Sequence, residues 1–126
     1  MSDQVVVAAP ARTGVLDAVL PRRRVVPVAV LLVAATFLDS AATYAWVRTE
    51  VAVEGNPLVA AAMRAVGDGP ALAVRALLSG GLVLALATLA RRYREARRGL
   101  LVAGIILAGV TGVHAYGVWL VTRGLV

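Results

Sequence analysis

Residues 25–47 read VVPVAVLLVAATFLDSAATYAWV, 23 positions in which Asp39 is the sole charged side chain. At about 1.5 Å per residue a helix of that length spans roughly 35 Å. That is enough to cross a hydrocarbon core of about 30 Å with some tilt. Pro27 falls in the first turn, where a missing N–H does no harm. Two further stretches repeat the pattern: residues 70–90 carry only Arg75, and residues 100–121 contain His114 and no Asp, Glu, Lys or Arg. The sequence therefore predicts an all-α polytopic membrane protein with three transmembrane helices.

Composition agrees. The chain has 126 residues, 60% of them apolar and 16% charged, and a mean hydropathy of +0.85. Alanine, valine and leucine alone supply 66 residues, above the apolar share that a soluble domain spreads over nine residue types. Disorder is excluded by the same excess, because unfolded chains are poor in apolar residues. No cysteine is present, which removes disulfides, thiolate metal sites and thiol chemistry.

Thirteen arginines and no lysine against seven acids give a net charge of +6, and a basic chain raises the question of nucleic acid. The positions of the arginines answer it. Arg12, Arg22, Arg23 and Arg24 precede the first span, and Arg91, Arg92, Arg94, Arg97 and Arg98 fill the link between the second and third. The intervening loop sets Arg48 and Arg64 against Glu50, Glu54 and Asp68, and the tail has Arg123. The positive-inside rule then places the N-terminus in the cytoplasm and the C-terminus outside a cell membrane. The arginines serve as topology anchors, with contact to anionic headgroups as a secondary role, and no nucleic-acid partner is expected. Tyr44 and Trp46 end the first span and Tyr116 and Trp119 end the third, as headgroup-level aromatics do. Arg22–Arg24, an apolar run and Ser40-Ala41-Ala42 also resemble a cleavable signal peptide. The apolar run continuing to Val47, and an acid just before the cleavage point, argue for an uncleaved span.

These boundaries divide the chain into an N-terminal cytoplasmic arm, 1–24, and a membrane domain, 25–126. The arm contains Pro10, Gly14 and Pro21 with a weak helical pattern over Val15–Leu20, and is expected to be loosely ordered. Between the first two spans Asn56 suits an N-cap, Pro57 the first helical position and Gly67 the residue past the end. A helix over 57–66 is too short to cross, so it is expected to lie at the interface or to re-enter the bundle.

An ionisable group within a span costs about 2.5–3.5 kcal/mol at the helix centre and calls for a partner or a purpose. Counted from the outer end of each span, Asp39, Arg75 and His114 lie at depths of about 12, 8 and 11 Å. Because span direction alternates, this agreement does not follow from similar chain positions. It predicts one polar cluster between the helices. Thr36 and Thr43 share the face of Asp39, Ser79 that of Arg75, and Thr111 that of His114. Small residues at Ala76 and Gly80, and at Gly104, Ala108 and Gly112, permit close helix approach.

Leu38-Asp39 followed by Thr43, then Glu54-Gly55-Asn56-Pro57-Leu58 opening a short helix, then a basic residue early in the next span, make up a pattern of their own. It resembles an uncharacterised family of small bacterial and archaeal membrane proteins with LD-x-x-x-T and E-x-N-P motifs, grouped as a domain of unknown function. The resemblance covers about residues 28–121. It implies that Asp39, Thr43, Glu54, Asn56, Pro57 and Arg75 form one constellation, and it carries no activity. His114 rests on depth alone. Two acids and one arginine leave one carboxylate short of a partner if Glu54 turns into the bundle.

Two functional readings follow. In the first, the chain is a non-enzymatic accessory or oligomer-forming helical module in which Asp39 and Arg75 hold the bundle together, partnered by lipid and by a second copy or another membrane protein. In the second, the Asp39, Glu54, Arg75 and His114 group serves a small transporter or a proton- or ligand-responsive protein. No catalytic residues are expected, because Ser40 and Ser79 lack a nucleophile-elbow context and no HExxH occurs. No metal or cofactor is expected either, since a lone histidine is a poor ligand set within one chain.

Overall fold

The computed structural model describes residues 14–124. Among them every regular element is a helix. Helix α1 is Val15–Val19, α2 is Val25–Arg48, α3 is Pro57–Val66, α4 is Asp68–Ala90 and α5 is Arg94–Thr122, with a 3-10 turn over Arg22–Arg24 leading into α2. Three of these, α2 with its leading turn, α4 and α5, are long and apolar enough to cross a membrane. Helices α2 and α4 make the most extensive contact, α5 packs on both, and α3 rests on α4.

Large apolar side chains point away from the protein along all three long helices. Leu38, Leu78 and Ile105 are 71%, 70% and 72% exposed. A soluble protein rarely leaves so much contiguous apolar surface in water, whereas hydrocarbon accepts it.

Packing is tightest at the arginine-rich end. Leu20, Val25 and Leu100 are fully buried there, joined by Val83, Ala87 and Ala90. Here the structure departs from two expectations. The third long helix begins at Arg94 rather than near residue 100. Arginine is a good helix former, so the basic link shrinks to a turn in which the Arg92 and Tyr93 N–H groups donate to the Leu89 carbonyl. The arm is also packed from Gly14 onward: α1 lies against α5, and Leu20 enters the core. Arg97, one of the supposed surface anchors, is 2% exposed and donates from Nη1 to the Leu20 carbonyl at 3.4 Å. Residues 1–13 of the arm, including Arg12, lie outside the described residues.

At the opposite end the chain turns twice. Helix α2 stops at Thr49, whose hydroxyl donates to the Ala45 carbonyl at 2.9 Å, and Glu50 takes a left-handed φ of 58°. Helix α3 starts as the sequence requires: Asn56 Oδ1 accepts from the N–H groups of Leu58 and Val59 at 3.0 and 3.4 Å, and Pro57 occupies the first position. A single residue, Gly67, ends α3 and precedes α4, with φ 90° and ψ 159°. That region is essentially closed to side chains with a Cβ. Gly67→Ala should lower stability by about 1–3 kcal/mol, read as a fall in melting temperature in non-ionic detergent, whereas Gly55→Ala, where a Cβ meets nothing within 4 Å, should scarcely move it.

Candidate functional site

The ionisable residues singled out on the three long apolar helices meet. Arg75, on the second turn of α4, donates from Nη2 to Asp39 Oδ2 of α2 at 2.7 Å and from Nη1 to Glu54 Oε2 at 3.3 Å. One planar guanidinium thus engages two carboxylates through its two terminal nitrogens. Glu54 turns inward because its other oxygen, Oε1, accepts the Asn56 N–H at 2.7 Å. Its carboxylate links the start of α3 to Arg75. His114 of α5 brings Nδ1 to 3.1 Å from Asp39 Oδ1. That N–H does not point along a hydrogen bond, so Oδ1, fully buried, has an imidazole beside it and no donor aimed at it.

One cluster therefore touches α2, the α2–α3 connection, α4 and α5. Its two carboxylates and one guanidinium leave one net negative charge while the imidazole is neutral. The carboxylate left short by charge counting is shared rather than orphaned, because Arg75 reaches both acids.

Not every candidate contributes its side chain. The Thr43 hydroxyl donates to the Asp39 backbone carbonyl at 2.9 Å, so it bonds to its own helix rather than to the carboxylate. Thr36 and Thr111 likewise bond to Val33 and Leu107. Pro57 acts through the backbone alone. Two residues that shape the site went unassigned in the sequence reading. Trp46, read as an interfacial aromatic, sets its ring edge-on to His114, with centroids 5.5 Å apart and planes at 70°. Gly117, one turn beyond His114, makes room for it, since a Cβ there would overlap the Trp46 ring. The signal was present in the spacing: Trp46 is two turns from Asp39 on the same face.

Cavities lie on either side of the Asp39–Arg75 pair. A distal one of about 350 Å³ is bounded by Trp46, Val53, Glu54 and His114. A deeper one of about 270 Å³ lies between α2, α4 and α5. Asp39 and Arg75 line both. Below the deeper cavity the packed arginine-rich end closes the bundle.

Fold and cluster together define a class: a small bundle of three long apolar helices and one short capping helix, organised around a charged group between them. The chain belongs to the DUF5658 family, a domain of unknown function, whose model matches residues 30–122. The match takes in every member of the cluster. No curated protein and no solved structure matches the chain.

Proposed function

We propose that this protein is a non-enzymatic accessory module of the cell membrane that works by associating with a second copy or another membrane protein through α5. The observation that carries this reading is the outward face of α5. Within the bundle, small residues serve close packing: a Cβ at Gly80 would meet Phe37 and one at Gly104 would meet Leu32, each at ordinary contact distance. Four and eight residues beyond Gly104, Ala108 and Gly112 are exposed, and nothing lies within 4 Å of a Cβ built at Gly112. The apolar window of α5 contains no buried residue. Small residues at four-residue steps are the pattern that lets one membrane helix approach another. The cluster meanwhile holds the four segments of the protomer together and leaves this face free.

The arginine-rich end, with Arg22–Arg24, Arg91, Arg92, Arg94 and Arg98, belongs in the cytoplasm on this reading, and the cluster sits toward the outer surface.

The test is the oligomeric state. In mild detergent or nanodiscs the protein should run as an oligomer, and Gly112→Leu should shift it toward monomer while leaving its helicity and melting temperature in place. A wild type that is monomeric throughout, and that co-purifies with no stoichiometric membrane protein, overturns the proposal.

A further inference from the structure

We propose that the deeper cavity between α2, α4 and α5 binds the head of a neutral, carbonyl-bearing membrane lipophile. The inference stands apart from the assembly reading and does not depend on it.

The hydroxyl census points to the site. All six described threonines, at 36, 43, 49, 88, 111 and 122, donate to carbonyls of their own helices, the usual way a helix satisfies such a group in hydrocarbon. Ser40 and Ser79, the two described serines, make no hydrogen bond within the described protein, and both line this cavity. Ser40 is only 7% exposed. Neither hydroxyl oxygen is sealed off from a molecule the size of water, so a ligand head that enters the cavity can bond to both.

The charges select the head. Asp39 Oδ2 is taken by Arg75, and Oδ1, though no donor is aimed at it, is sealed off beside His114, so a cationic head finds no accessible carboxylate oxygen. An anionic head meets two carboxylates against one guanidinium. What remains are two hydroxyls, each able to donate or accept, and the guanidinium N–H groups that Arg75 does not spend on the acids, since it carries five donors and no acceptor. That excess of donors fits a carbonyl oxygen.

Shape and depth select the rest. Leu82 of α4 and Ile106 of α5, each 62% exposed, flank the cavity on the side facing surrounding hydrocarbon, while Leu32 and Val83 help to wall it. At about 30 Å³ per water, 270 Å³ corresponds to roughly nine water volumes, room for one ring or a short chain segment with its tail left in the bilayer. Ser79 lies about 6 Å deeper than Arg75 along α4. A phosphate headgroup would have to leave water to reach that level, but a quinone, ketone or diacylglycerol carbonyl would not.

Photolabelling of the full chain in phosphatidylcholine nanodiscs tests this, using a diazirine-tagged long-chain methyl ketone and its hydrocarbon counterpart without the carbonyl. The ketone should label residues 79–83 and 103–107 several-fold more than the hydrocarbon. The Ser40→Ala/Ser79→Ala double variant should cut that labelling by about tenfold, the range expected for lost neutral hydrogen bonds. Ala103→Leu, which fills the cavity, should abolish it with the melting temperature retained. Competition by a decyl-substituted benzoquinone indicates a ring carbonyl as the natural head, and competition by dioleoylglycerol an ester carbonyl. Equal labelling by ketone and hydrocarbon, labelling unchanged in both variants, or competition by neither lipid overturns the proposal.

Discussion

Arg75→Leu should destabilise the protein by about 3–5 kcal/mol, the cost of leaving buried charges without their partner. The side chains of Asp39 and Glu54 are 6% and 10% exposed, and among the described residues Arg75 is the only guanidinium bonded to either. Its removal strands two carboxylates at once. Asp39→Asn alone should cost less, because Arg75 retains Glu54 and the Asn amide still accepts from Nη2. The diagnostic result is the triple variant Arg75→Leu/Asp39→Asn/Glu54→Gln, in which the stranded charges are removed as well. It should recover more than half of the lost stability in thermal unfolding in non-ionic detergent, since a buried ion pair is dispensable only when all its members go together. If Arg75→Leu melts with the wild type, the cluster does not hold the bundle.

The other large effect lies at the opposite end. Leu100→Ala should cost about 2–5 kcal/mol, as core truncations to alanine do, because Leu100 is fully buried against the packing that holds Leu20 and Val25. The same change should loosen the docked arm. Trypsin should therefore cut at Arg22–Arg24 several times faster in the variant than in the wild type, alongside the drop in melting temperature. Ile105→Ala on the outward-facing side, 72% exposed, should stay within about 0.5 kcal/mol. Equal losses at positions 100 and 105 would mean that the buried end is not where the fold is secured.

Much of this was legible before any coordinates. Run length and charge spacing give the three long helices, and the short helix over 57–66 follows from Asn56, Pro57 and Gly67, each placed by local backbone chemistry. The meeting of Asp39, Arg75 and His114 follows from equal depth on antiparallel spans, an argument that needs only the helical rise. Illegible were features decided by competition between local and distant partners. A threonine beside an aspartate on one face looks like a cluster member, but in a helix the backbone carbonyl one turn back wins the hydroxyl, as at Thr43. Leu20 closes only a weak helical pattern over Val15–Leu20, cut off by Pro21, which is too short to announce that this residue is buried. The arginines at 94–98 read as a charged break, yet nothing in their propensity stops a helix, and α5 runs through them.

Gly67 joins α3 to α4 through one residue, while Glu54, just before α3, reaches back to Arg75 on α4. Chain and ion pair together close a ring: Glu54, along α3, through Gly67, down to Arg75 and back. In mechanical terms α3 is a bar pinned at one end and latched at the other. Between those two points Met63 packs on Ala71 and Leu72 of α4, which seats the bar along its length. The distal cavity is walled by residues 52–55 just before α3, so releasing Glu54 from Arg75 unpins the stretch of chain that bounds that cavity.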